Sequence, residues 1–152
     1  MNELASTQGL ELLTFRVADQ EYSLDIMSVR EIRGWTRTTP MPHAPDYMRG
    51  VINLRGTVLP VMDLARRLNL PSRETTDRNV IIVVKLNGIL TGLLVDAVSD
   101  IVAMSEDDLQ PPPDLSSDPQ MSVVRALTVI DDRMIRVLDL SAVVPASSDE
   151  AA

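Results

Sequence analysis

Apolar and polar positions begin to alternate at Leu13, Phe15 and Val17, with Thr14 and Arg16 between them, which is the period of a strand with one buried face. Ala18-Asp19-Gln20-Glu21 reads as a turn and Tyr22-Ser23-Leu24-Asp25 as the returning strand, so the chain opens with a hairpin. Ile26, Val29 and Ile32 or Arg33 then recur at helical spacing. That predicts a single helical turn before the backbone extends again at Glu31-Ile32-Arg33. Prolines at 40, 42 and 45 forbid regular structure between Thr38 and Ala44, and Pro45 starts a short turn, PDYMR, that Gly50 ends.

From Gly50 to Leu64 the chain reads GVINLRGTVLPVMDL, two apolar runs joined by an Arg-Gly corner. Val51, Ile52 and Leu54 lead into Arg55-Gly56, where glycine tolerates the positive φ of a tight turn, and Thr57, Val58, Leu59 and Val61 form the return strand. Asp63 stands at an N-cap position ahead of LARRL, whose Leu64 and Leu68 share one helical face before Asn69 and Pro71 stop the helix. Residues 71–79, PSRETTDRN, are polar and rich in breakers, hence a linker. Beyond them VIIVVKL predicts a strand buried on both faces, Asn87-Gly88 a type I′ turn, and ILTGLLVD the return, so a second sheet is expected to begin there. Ser105 and Asp108 occupy capping-box positions around Glu106-Asp107.

The two halves echo one another. Ile26, Val29, Glu31 and Ile32 align with Val95, Val98, Asp100 and Ile101 at an offset of 69, and Leu59–Leu64 aligns with Ile135–Leu140 at an offset of 76, each ending in Asp-Leu. Insertion around Pro111-Pro112-Pro113 accounts for the difference. Two copies of one strand-rich unit, each closing its sheet into a small barrel, fit this pattern. Residues 1–9 and 145–152 are small and polar and are expected to fray.

Composition narrows the partners. The chain has 152 residues, 45% of them apolar, with one Phe, one Trp and two Tyr, so the core of this single domain is aliphatic. A net charge of −8 argues against nucleic acid or an anionic membrane as partner, because binding there depends on Lys and Arg neutralising phosphates. There is no cysteine, and MNELASTQG lacks a basic region followed by an apolar stretch. No segment approaches the ~20 apolar residues of a membrane helix. A cytoplasmic protein is expected, reaching any membrane through a partner and not by direct insertion.

Catalytic chemistry is sparse. His43, the only histidine, lies in a Pro-rich loop, and neither a Gly-x-x-x-x-Gly-Lys nor a Gly-x-Gly-x-x-Gly run is present. Asp96 and Asp100 fall four apart and define an enzymatic alternative, against which capping of backbone amides is the stronger expectation. The acidic Glu106-Asp107-Asp108 lacks the alternating ligands and central glycine of a calcium loop. Eight methionines, among them Met27, Met48, Met62 and Met104, read as core filler. No catalytic residue, metal site or cofactor is therefore expected. A small-barrel nucleic-acid binder of the OB or SH3-like type is the other alternative, and it lacks stacking aromatics and a basic groove.

Asn53-Leu54-Arg55-Gly56, following Gly50-Val51 and preceding a Pro-containing strand that ends in Asp63-Leu64, resembles the CheW family, the adaptors that couple chemoreceptors to the CheA histidine kinase. The resemblance extends to Glu21-Tyr22, Asp25-Ile26, Val29-Arg30-Glu31-Ile32-Arg33-Gly34 and Val95-Asp96-Ala97-Val98-Ser99-Asp100-Ile101, and spans roughly residues 11 to 143. Departures are Ala97, where the family usually has Gly, and Val124-Arg125, where many members carry a glycine-containing turn. The resemblance implies a mainly β domain over 10–144 with a few short helices: two five-stranded SH3-like barrels, roughly 11–70 and 79–140, with terminal elements free to cross over and an aliphatic groove between the barrels. It implies a non-enzymatic adaptor in chemotaxis, or in a related pathway controlling surface motility, recruited to receptor arrays through its partners. Val29, Arg49 and Gly50 fall at positions linked to the regulatory domain of a CheA-type kinase. Ile26, Glu31, Ile32, Arg55, Val80, Gly92 and Val98 fall on, or support, the side that holds the cytoplasmic tip of a chemoreceptor. Glu31 and Arg55 carry opposite charges on neighbouring elements and are expected to pair across the groove.

Overall fold

The computed structural model describes residues 9–71, 75–112 and 121–144. Ten strands run in the order β1 (Gly9–Val17), β2 (Gln20–Asp25), β3 (Val29–Gly34), β4 (Met48–Leu54), β5 (Thr57–Asp63), β6 (Val80–Leu86), β7 (Ile89–Val95), β8 (Ala97–Ser105), β9 (Val124–Ile130) and β10 (Arg133–Leu138). Two one-turn helices, α1 (Leu64–Arg67) and α2 (Leu140–Val143), follow β5 and β10. Single 3-10 turns lie at Ile26–Ser28, Glu106–Asp108 and Met121–Val123. Gly9, expected in a fraying tail, already opens β1. The rest of both expected tails, residues 72–74 of the linker, and Pro113 lie outside the described residues.

Tight turns form where the sequence predicts them. Arg55 and Gly56 have φ of 52° and 90°, and Asn87 and Gly88 have φ of 54° and 82°, the doubly positive signature of type I′ hairpins. Asn53 Oδ1 accepts from the Gly56 amide at 2.8 Å, fixing the first of these corners. Asp63 caps α1, its side chain accepting from the Arg66 amide, and Asp139 caps α2 from the matching position, accepting from the Ser141 amide. The capping box of Ser105 and Asp108 is also complete.

The sheets divide the chain differently from the expected split near residue 70. One sheet has the order β8-β1-β2-β10-β9 and the other β3-β6-β7-β5-β4. The expected second sheet does not begin at Val80, because β6 pairs with β3 and β7 with β5. Likewise β1 and β2 leave the first half and join β8 and β10. Each repeat thus gives its opening hairpin to the other. We call the sheet of β3 to β7 the central barrel and the sheet of β1, β2 and β8 to β10 the terminal barrel. The exchange crosses the chain between them at the 3-10 turn Ile26–Ser28 and at Asp96.

This exchange explains why Val80–Val84 is an unbroken apolar run. Ile82 and Val84 join a core shared by both barrels with Leu13, Phe15, Tyr22, Met62 and Leu93. Ile81 and Val83 face the other way, into a second core with Ile52, Leu59, Val61 and Leu94. A smaller third core of Leu10, Leu12, Ala126 and Val137 belongs to the terminal barrel. A strand buried on both faces has no polar side to show, and removing any of these apolar side chains from water contributes roughly 1.5–3 kcal/mol.

Gly50 and Gly92 are fixed by close approach. Gly50 has φ of 141°, and a Cβ there would stand 2.3 Å from the Thr39 carbonyl oxygen. Thr39 exchanges two backbone hydrogen bonds with Val51, each 2.9 Å, strapping the edge of β4. At Gly92 a Cβ would stand 2.9 Å from Cγ2 of Ile81 and 3.3 Å from Cγ2 of Val61.

Candidate protein-docking surfaces

Arg49 and Arg125 occupy the same place in the two repeats, the unpaired residue of a β-bulge. Met48 faces Met62 and Gly50 faces Val61, which leaves Arg49 without an opposite residue; Val124 faces Leu138 and Ala126 faces Val137, which leaves Arg125 without one. Arg49 donates to the Thr75 hydroxyl at 2.8 Å, lies 3.5 Å from Asp63 Oδ2 and covers the Trp35 ring at 5.9 Å from its centroid. The expected kinase-contact set is therefore partly structural. Gly50 is buried and makes room for Thr39, and Arg49 is held on three sides. Val29 packs against the shared core. It begins β3 and pairs with Val84, whereas Trp35, just past the end of β3, is the neighbour of Arg49. Val29 and Arg49 thus sit at opposite ends of the line where β3 meets β4.

Glu31 and Arg55 do pair, but across that line and not across the groove between barrels. Arg55 Nη2 donates to Glu31 Oε1 at 2.5 Å, and Arg33 Nη1 lies 3.5 Å from Glu31 Oε2. β3 and β4 are the two edges of the central sheet, so this pair and the Arg49–Trp35 contact bridge its open seam. The Arg55 hydrogen bond holds the Glu31 carboxyl below its ordinary value, and the same bond holds the Arg55 guanidinium above its own.

Of the other expected receptor-side residues, Gly92 is buried between Ile81 and Val61 and offers no surface. Val80 and Val98 are half-buried against the shared core. Ile32 is exposed on β3. Ile26 lines a groove of about 390 Å³ where β1, β8 and the Ile26–Ser28 turn converge, together with Leu10, Met27, Ala103 and Met104. Met27, 86% exposed, is not the core filler expected of it, whereas Met62 is, and half-buried Met104 packs against the third core while also facing the groove. The placement of Met27 in a turn and of Met104 near the end of an edge strand was the available signal.

Potential chemistry is otherwise committed to structure. Asp96 Oδ2 accepts from the Ala18 amide at 2.9 Å and Asp100 Oδ1 from the Ile101 amide at 2.8 Å, as expected of amide caps. Phe15 and Tyr22 are buried, and Trp35 and Tyr47 are half-buried with Arg49 and Arg67 over their rings. Arg67 also donates to the carbonyls of Val143 and Ala142 at 2.9 and 2.8 Å, tying α1 to the end of α2. Among the described residues no helix is long and apolar enough to cross a membrane.

Two small barrels sharing a core, with Asp96 and Asp100 spent on amide caps and a groove beside the turn that links the barrels, define a protein-docking module. A family model described as a CheW-like domain matches residues 11–148. A chemotaxis protein CheW from Rhizobium meliloti (strain 1021) is 54% identical over 95% of this chain and 93% of its own length, and one from Bacillus subtilis (strain 168) is 33% identical over 95% and 92%. The scaffolding protein TtCheW from Thermoanaerobacter tengcongensis superposes with a TM-score of 0.79 at 32% identity, covering 85% of this chain and 88% of that one. The chain belongs to the CheW family. It is a non-enzymatic coupling adaptor of chemotaxis signalling.

Proposed function

We propose that the chain works in the cytoplasm, holding the regulatory domain of a CheA-type histidine kinase on its central barrel and the cytoplasmic tip of a chemoreceptor in the groove beside Ile26, and that these partners recruit it to receptor arrays. The groove carries the receptor half of this reading: a cavity of about 390 Å³ with Leu10, Ile26 and Ala103 in its lining and Met27 and Met104 at its lip is suited to an apolar helix face. Ile32 and the Glu31–Arg55 pair extend that side, and Val80 and Val98 set its shape. On the kinase side Arg49 is the accessible member of the set, with Gly50 and the Thr39 strap holding β4 in place behind it.

Reconstitution tests the proposal. Kinase autophosphorylation is expected to rise when receptor, kinase and this chain are combined, and to stay at its basal rate when the chain is left out. The chain alone is expected to hydrolyse no ATP. Full activation without the chain, or saturable ATP turnover by the pure chain, contradicts the coupling role.

A further inference from the structure

The groove beside Ile26 has a rim of carboxylates. Glu11, Asp25 and Glu106 line it around the apolar Leu10, Ile26 and Met104. Several carboxylates elsewhere on the surface are paired: Glu21 meets both Arg16 and Arg133, Glu31 meets Arg33 and Arg55, and Asp46 meets Arg66. Among the described residues no such ion pair reaches Glu11, Asp25 or Glu106, and Asp25 accepts only the Met27 amide, at 2.9 Å. Three like charges around one apolar cleft repel one another, and a partner that brings positive charge to the rim relieves this as it docks.

We infer that the groove selects a helix-borne apolar side chain flanked by Lys or Arg, so that the docked protein segment is locally basic although the chain as a whole carries −8. This rests on the groove being the receptor site. The apolar side chain fills the space between Leu10, Ile26 and Met104, and its basic neighbours reach Glu11 on β1 and Glu106 in the 3-10 turn after β8. Apolar burial supplies the bulk of the affinity, while the carboxylate rim sets orientation, association rate and the choice among receptors.

The test is titration with a soluble chemoreceptor cytoplasmic hairpin at several NaCl concentrations. It compares the wild type, the double variant Glu11→Gln with Glu106→Gln, and Ile26→Glu, with melting temperatures recorded for each. Neither glutamate caps a helix or strand end, so the double variant keeps the fold. It is expected to bind about 3- to 10-fold more weakly at low salt, with a shallower dependence of log Kd on log [NaCl]. Ile26→Glu is expected to weaken binding roughly 5- to 150-fold. If Ile26→Glu weakens binding by that factor while the double variant binds as wild type with an unchanged salt slope, the basic-partner inference fails and the receptor site stands. If folded Ile26→Glu binds normally, the receptor site itself is misplaced.

Discussion

Arg55 reaches from the tip of the β4–β5 hairpin to Glu31 on β3, 2.5 Å away, and so joins the two edge strands of the central sheet. The corner arginine that local turn chemistry leaves unexplained is thus the closure of a barrel. Both groups remain open to solvent, Arg55 at 72% side-chain exposure, so the pair fixes shape more than it adds stability.

The pH dependence follows from the sign of the Glu31 shift. Its carboxyl is held below the ordinary value in the folded state by the Arg55 hydrogen bond, so the pair contributes above the unfolded-state value and is lost as pH falls through the lowered folded value. Glu31→Gln is therefore expected to be less stable than wild type near neutral pH and to converge on it in acid. Urea unfolding of both proteins across that range checks this; a difference that grows toward acid contradicts it.

Gly50→Ala is expected to destabilise the fold by about 2 to 4 kcal/mol, combining positive-φ strain with a methyl forced against a backbone oxygen. The Thr39 carbonyl, 2.3 Å from the new Cβ, cannot rotate aside as a side chain would, because it accepts the Val51 amide. Chemical denaturation measures the loss. A change under about 0.5 kcal/mol would show the Thr39 strap to be free to move.

Arg67→Gln removes two charge-assisted hydrogen bonds to the Val143 and Ala142 carbonyls and the cover over Tyr47. A loss of about 1 to 3 kcal/mol is expected. Hydrogen exchange should speed up at the Val143 and Val144 amides, which bond to Asp139 and Leu140 within the α2 turn. Unchanged exchange there would mean that α2 holds without the tie to α1.

Local features were legible because short-range chemistry decides them. Asn87-Gly88 needs positive φ, Asp63 needs an amide to cap, and both requirements are met within a few residues. The repeat was legible too, and Asp63 and Asp139 are its matching caps. Which barrel each hairpin joins was not, since β6 is apolar on both faces and its sequence fits either partner sheet. The family resemblance alone put Gly92 on or behind the receptor side, and the close approach of Ile81 and Val61 that buries it has no local signal. Arg49 and Arg125 share an offset of 76 with the aligned strands, yet their common role as bulge residues depends on cross-strand register, which no local pattern encodes.

Independence of the two docking surfaces is the central claim, and paired titrations of folded variants test it most directly. Ile26→Glu puts a charge into the apolar groove and should cost receptor-tip binding about 1 to 3 kcal/mol, roughly 5- to 150-fold, with kinase affinity near wild type. Arg49→Gln, across the central barrel, should do the reverse, weakening the kinase regulatory domain by a similar factor and sparing the receptor. Equal losses toward both partners from either variant, at unchanged melting temperature, would mean one shared surface and would contradict the two-sided scaffold.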